Sequence, residues 1–357
     1  MSHPVRLAIN GYGRIGRCVL RALYESGLSA HFQVVLVNEP ADLESMAYLT
    51  RFDSTHGIFP GEVSANGDHL LINGHRIDIS HASTPEEVDW RAAGVDYVLE
   101  CSGLYGTRAE LMRFVDAGCP RVLVSQPANS AQDVDATIVH GVNHDTLDGS
   151  ETIVSAASCT TNAIVPVLDL LHRAYGVRHA LLTTLHSVMN DQPLIDGYHH
   201  KDLRRTRSAM QSIVPVSTGL AQGVERLLPG LSGKVQAKAI RVPINNVSAI
   251  DMVLNLQGNI DAGDINELMA DAASAVPGLL SYSDNPHASI DFNHNPHSAI
   301  IDGSQTRTNG DGFANLFIWF DNEWGFANRM LDVLECWVGL HQPSEPHARN
   351  MPLLAGE

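Results

Sequence analysis

The chain has 357 residues, with 23 Lys+Arg against 40 Asp+Glu, a formal net charge of −17. That balance argues against a dedicated binder of nucleic acid or of an anionic membrane, because both are polyanions, and any anionic substrate must be met by a local basic site. A hydrophobic share of 44% beside 18% charged residues excludes a disordered chain, and the length suits about two domains.

The first residues, MSHPVRLAINGYG, lack the apolar core of a secretory leader. No run of roughly 18 apolar residues is present, so no membrane-spanning helix is expected. The five cysteines, Cys18, Cys101, Cys119, Cys159 and Cys336, are odd in number, scattered and without a CxxC pair. That pattern argues against a disulfide framework and a zinc cage, and points to a reducing, cytoplasmic setting with no metal.

In chain order, VRLAIN (5–10) reads as a strand and 13–27 as an amphipathic helix with Ile15, Val19 and Leu23 inward. The apolar run 33–37 is a strand of the kind buried in a parallel sheet. Together they form a βαβ unit. Further strands are expected at 70–72, 76–79, 96–101 and 121–124, with a helix at 107–117. Alternating strands and helices imply an α/β fold: a Rossmann-type, doubly wound parallel sheet. From about 151 the texture changes. A strand and a turn lead into a long helix, followed by strands at 179–187, 235–242, 247–256 and 313–320 with few helices between them. This predicts an α+β catalytic domain with a mostly antiparallel sheet. The stretch 190–212 is too long for an ordinary turn, and loops of this length are usually functional. The expected division is a dinucleotide-binding domain over 1–158, with a closing helix 324–340 packing back on it, a catalytic domain over 159–323, and a tail, 341–357, that frays.

Gly11-Tyr12-Gly13-Arg14-Ile15-Gly16 fits GxGxxG between a strand and a helix. The glycines let the backbone turn and approach a pyrophosphate, and the helix N-terminus supplies N–H donors. The second strand ends at Val37, and Glu39 follows it, 23 positions after Gly16, where a carboxylate accepts from ribose hydroxyls and repels a 2′-phosphate. NAD is therefore expected rather than NADP. Cys159, in SCTTN, lies at a strand-to-helix turn, where the helix dipole favours a thiolate. His186, at a strand end in the same domain, is the candidate base. His294 and His297 read as structural, since no matching ligand set accompanies them. Arg204, Arg205 and Arg207 form the basic cluster that an acidic chain needs for an anionic substrate.

The motifs NGYGRIGR, SCTTN, HSVMND, LRRTRSAMQSIVPVSTG, AIRVPINNVSAID and DNEWGFANRM run in order over about 5–340. They resemble the glyceraldehyde-3-phosphate dehydrogenase superfamily. The resemblance implies Cys159 as the nucleophile forming a thiohemiacetal and His186 as the residue activating it. It places Gly11, Gly13, Arg14, Ile15, Gly16, Glu39 and Ser125 at the cofactor, and Asn322 at the nicotinamide carboxamide. Ser158, Thr160, Arg205, Thr218, Gly219 and Arg241 fall at substrate- and phosphate-contacting positions. A homotetramer, with 190–212 near a neighbour's cofactor, is implied in the same way.

Departures from the phosphorylating pattern narrow the reading. After His186 the run Ser187-Val188-Met189-Asn190-Asp191-Gln192 lacks that pattern's threonines and carries a carboxylate, which repels phosphate. HSVMNDQPLIDGYH, DLRRTRSAMQSIVP and DFNHNPHSAIIDGSQTR are most similar to the D-erythrose-4-phosphate dehydrogenase family. That resemblance implies NAD-dependent oxidation of a four-carbon aldose phosphate, with water releasing the acid, toward pyridoxal phosphate. The alternatives are a phosphorylating glyceraldehyde-3-phosphate dehydrogenase, whose Ser217-Thr218-Gly219 is intact here, and a non-catalytic NAD-binding regulatory protein.

Overall fold

The computed structural model describes residues 3–200 and 202–341. Beyond His341 the expected tail lies outside the described residues. The chain divides into two compact units. The first holds 3–138, 144–158 and 327–341, and the second 139–143 and 159–326.

The first unit begins β1 (Val5–Asn10), α1 (Arg14–Glu25), β2 (Phe32–Asn38) and α2 (Leu43–Arg51). Short strands follow: β3 (Phe52–Asp53), β4 (Gly57–Ile58), β5 (Val63–Asn66), β6 (His69–Ile72) and β7 (His75–Ser80). Then come β8 (Tyr97–Glu100), α3 (Arg108–Asp116), β9 (Val122–Val124), β10 (Ala136–Thr137) and β11 (Ile153–Ser155). The main sheet has the order β10-β11-β9-β8-β1-β2-β7-β6-β5. It is parallel from β10 to β7 and antiparallel only where β6 and β5 fold back. β8, β9 and β11 are buried at every residue, as strands covered on both faces must be. Trp90, Tyr105 and Phe114 interlock in this core, with centroids 4.9 and 6.0 Å apart about Phe114.

α1 buries Val19 and Leu23 as expected, but Ile15 is half-buried at its open end rather than inward. α2 is absent from the sequence reading although Asp42 caps it, accepting from the Ser45 N–H at 2.8 Å.

The second unit contains α4 (Cys159–Tyr175), β12 (Val177–His186), β13 (Val214–Val216), α5 (Leu220–Leu227), β14 (Val235–Arg241) and β15 (Ser248–Leu256). It continues with α6 (Ala262–Ala275), β16 (Leu280–Ser283), β17 (Ala299–Thr308) and β18 (Phe313–Phe320), and α7 (Trp324–His341) starts in it. The sheet order is β13-β14-β12-β15-β18-β17-β16. Two of its pairings, β12 with β14 and β16 with β17, are parallel, and the rest are antiparallel. Burial alternates along β15 and β18, the period-two signature of a sheet with one face in a core. α4 supplies that core with Ile164, Val165, Val167, Leu168 and Leu171. Among the described residues of the 190–212 stretch the one helical element is a short 3₁₀ turn, Leu203–Thr206.

In the first unit the body of α7 is tied down at its end. The Tyr97 hydroxyl lies 2.8 Å from His341 Nδ1, and His341 Nε2 donates to the Gly149 carbonyl at 2.7 Å.

Candidate active site

The glycine loop of the first unit is shaped by what a side chain would meet. Gly11 has φ +84°, and a Cβ there would lie 2.5 Å from the backbone of Ser102. A Cβ on Gly16 would collide with the Gly11 carbonyl. Gly13, by contrast, faces nothing within 4 Å and starts α1 with no side-chain cap. The first amides of α1 therefore open onto space fit for a pyrophosphate. Glu39 follows β2, half-buried, and accepts from the Tyr12 N–H at 2.7 Å. Arg14 turns its side chain to Asp53, at 2.5 Å, and against burial that pairing, with the His56 and Thr55 N–H donors, holds the Asp53 carboxyl down at about 2. Ile15 is half-buried beside it, and Ser125, half-buried just past β9, donates its N–H to the Glu100 carbonyl at 2.9 Å. Gly16→Ala is expected to cost about 1–3 kcal/mol, read as a lower melting temperature of the chain.

Beneath this loop lies a buried polar line that the sequence reading missed. Asn38 donates to Asn10 Oδ1 at 2.8 Å, Asn10 donates to Glu100 Oε2 at 2.5 Å, and Ser102 donates its N–H to Glu100 Oε1 at 2.8 Å. Burial pushes the Glu100 carboxyl up to about 7 against the pull of these donors. The available signal was a polar residue, Asn10, Asn38 or Glu100, directly after an apolar run at the carboxyl end of each strand.

In the second unit Cys159 is the first residue of α4 and is half-buried. The turn before it carries Ala157 at φ +60°, a left-handed value costly for alanine and typical of strain kept at a working site. Cys159 Sγ lies 3.8 Å from His186 Nε2 and 3.8 Å from Thr160 Oγ1. Burial raises the thiol, while Thr160 and the Arg241 charge pull the other way. His186 ends β12 and Arg241 ends β14, paired in register. Burial, then the Arg241 charge, lowers His186 to about 4, so the imidazole is neutral at neutral pH. His186 Nδ1 lies 2.8 Å from the Ser187 carbonyl and 2.6 Å from Arg241 Nη1. In the tautomer whose Nδ1 donates to that carbonyl, Nε2 is bare and faces the thiol; in the other, Nδ1 accepts from Arg241 and Nε2 carries the hydrogen.

The basic cluster read from RRTR is split. Arg205 donates to Asp191 at 2.7 Å, and Arg241 reaches the same Asp191 oxygen at 3.7 Å. Arg207 instead pairs with Asp196 at 3.0 Å on the exposed surface. The positive site is therefore Arg205 with Arg241, drawn together from distant segments around one carboxylate. Nε of each guanidinium is buried without a hydrogen bond among the described residues. Gln192, next along the chain, is 8% exposed with both amide atoms likewise unbonded. Unmet donors of this kind suit an anionic ligand. Nothing in the sequence singled out Gln192.

Asn322 follows β18 and accepts hydroxyl hydrogens from Ser187 at 3.0 Å and Ser248 at 2.8 Å. Both bonds go to its amide oxygen, so its orientation is set with the amide nitrogen as donor. Asp321 pins the same turn by accepting from the backbone of Glu323 and Trp324 at 2.9 and 2.8 Å. Thr218 accepts from the Leu220 N–H at 3.2 Å, and Gly219 starts α5 without a side-chain cap. α5 packs against α4, Gly223 facing Thr161. Ser158 is half-buried and precedes Cys159. His294 stacks on Trp324 at 3.7 Å, and His297 Nδ1 contacts Asn295 at 2.8 Å.

The first unit is a parallel sheet with a glycine cradle and an acidic residue just past its second strand, the build of a dinucleotide-binding unit, and the second is a mostly antiparallel sheet carrying a thiol and an imidazole 3.8 Å apart. Residues 5–108 match the NAD binding domain of glyceraldehyde 3-phosphate dehydrogenase, and residues 158–322 match its C-terminal domain. The chain belongs to the glyceraldehyde-3-phosphate dehydrogenase superfamily, and NAD is its cofactor. No described helix is long and apolar enough to cross a membrane.

Proposed function

We propose that the protein oxidises D-erythrose 4-phosphate to 4-phosphoerythronate with NAD, through a cysteine thioester released by water, in the supply of pyridoxal phosphate. The observation that carries this reading is Asp191 set against both Arg205 and Arg241. Both guanidiniums face Asp191, and Arg205 Nε also lies 3.9 Å from Asp202, so much of their charge is already met within the chain. What remains suits the substrate's own phosphate and disfavours a second, inorganic one.

Cys159 attacks C1 of the aldehyde and His186 Nε2 takes the thiol proton. The oxyanion is met by the Cys159 N–H at the start of α4 and by the protonated imidazole. NAD would supply the hydride acceptor; Glu39 would accept from its ribose hydroxyls and Asn322 would donate to its carboxamide. His186 then releases the thiol proton to solvent and, as neutral imidazole, takes a proton from the water that attacks the thioester; the C–S bond breaks, and the departing Cys159 thiolate recovers that proton. Ser158 and Thr160 flank the reacting carbon. The working form is a homotetramer in the cytoplasm, a reducing setting that suits five free cysteines.

The second reading, a phosphorylating glyceraldehyde-3-phosphate dehydrogenase, is favoured by Thr218 and Gly219 at the uncapped start of α5. NADH formation separates the two when erythrose 4-phosphate and glyceraldehyde 3-phosphate are each supplied with and without inorganic phosphate or arsenate. Preference for erythrose 4-phosphate at a phosphate-independent rate is expected. Preference for glyceraldehyde 3-phosphate with phosphate dependence would establish the second reading. No NADH burst with either would leave a non-catalytic NAD-binding protein.

A further inference from the structure

We infer that the buried line Asn38–Asn10–Glu100–Ser102 is a positioning relay that holds the dinucleotide cradle at its working geometry. The inference rests on NAD as cofactor and not on which aldehyde is oxidised. The four residues sit at the carboxyl ends of β2, β1 and β8, neighbours in the sheet, the edge at which such sheets bind ligands. Asn10, Asn38 and Glu100 are 4%, 5% and 1% exposed, so water cannot replace a lost partner.

The relay has a fixed polarity. The Ala82 N–H donates to Asn38 Oδ1 at 3.0 Å, and Asn38 Nδ2 donates to the Ala82 carbonyl at 3.2 Å. Backbone therefore sets which way Asn38 faces. Asn38 Nδ2 in turn fixes Asn10, whose Nδ2 must then find an acceptor, and Glu100 Oε2 is that acceptor. Glu100 Oε1 takes the Ser102 N–H and pairs with the Ser102 hydroxyl, which itself accepts from the Leu104 N–H at 3.2 Å. Only a group accepting at both ends fits this place. The cradle rests on the same residues. The Gly11 N–H donates to the Asn38 carbonyl at 2.9 Å and the Cys101 N–H to the Asn10 carbonyl at 2.7 Å. Gly11 also sits so close to Ser102 that not even a methyl group fits between them. A shift of the 101–103 turn must therefore move the glycine loop.

The test exchanges the polarity. Glu100→Gln sets an amide NH₂ against that of Asn10, and Asn10→Asp sets two carboxylates together. The double variant restores every donor–acceptor match, since Asp at 10 accepts from both Asn38 and the new Gln. NAD affinity of the full chain is read by calorimetry, beside the melting temperature. Each single variant is expected to bind NAD about tenfold more weakly, as a mispaired buried polar group implies, and the double within about threefold of the parent. Singles that melt lower yet bind NAD as the parent does would make the line merely structural and overturn the relay. A double as weak as the singles would show that charge at position 100 matters and its pairing does not. Should a single variant fail to fold, the folded double decides alone: tenfold weaker binding overturns the proposal.

Discussion

Replacing Cys159 by alanine is expected to lower kcat by at least about 10⁴-fold, as loss of a catalytic nucleophile does elsewhere, while NAD binding stays within about threefold. The geometry leaves no substitute thiol. Cys18, Cys101 and Cys119 are buried, and burial pushes Cys336 up to about 12. Cys159 alone combines partial exposure, the start of a helix and a histidine nitrogen 3.8 Å away. Stopped-flow NADH formation checks the chemistry and calorimetry checks the cofactor. Turnover surviving in the variant would sink the covalent route. Because burial holds the parent thiol above its ordinary value and His186 is neutral, the resting pair is thiol and imidazole. Alkylation of Cys159 by iodoacetamide should therefore accelerate as pH rises through the alkaline range, where thiolate forms.

Arg241→Ala is expected to cut kcat/KM for the phosphorylated aldehyde by about 10²–10³-fold, as loss of a partly buried charge-assisted contact implies. It should leave oxidation of unphosphorylated glyceraldehyde within about tenfold, since no phosphate contact is then lost. The ratio of the two substrates is the measurement. Equal losses on both would mean that Arg241 serves the chemistry rather than the phosphate. A second readout has a definite sign. The Arg241 charge is among the influences lowering Cys159 and stands second, after burial, among those lowering His186. Without it the alkylation profile should move to higher pH and the imidazole should protonate more readily. Asp191 keeps Arg205 at 2.7 Å in the variant, so the carboxylate is not stranded.

The strands and helices that carry the candidate site were legible because each has a local cause. VRLAIN and the apolar run after it can only be strands of a covered sheet, and the glycines between them mark a turn into a helix. SCTTN stands where an apolar strand passes into a long helical pattern, which places a thiol at a helix start. Among the elements that escaped, α2 and α6 begin with Asp42 and Asp261 as caps and bury few residues, Met46 and Thr50 in one and Ile265 and Met269 in the other. Their apolar stripes are too thin to stand out, and their existence is settled by the sheets they pack on.

The amino-acid sequence by itself determined the two-sheet architecture and the glycine turn, and offered Glu39 as a ribose partner and Cys159 as a thiol at a helix start. These follow from periodicity and from residue types whose chemistry is local, whereas His186, one of eighteen histidines, was singled out by the family resemblance. Only the tertiary structure decided which charges meet. Arg205 leaves its neighbour Arg207 to join Arg241 across Asp191, because β12 and β14 end side by side in register and the 190–212 segment folds back over them. Glu100 became a buried acceptor for Asn10, ninety positions away in the chain, through a parallel pairing of β1 with β8. Coulomb interactions and hydrogen bonds depend on separation in space, and in a parallel sheet that separation is set by strand order rather than by position in the chain.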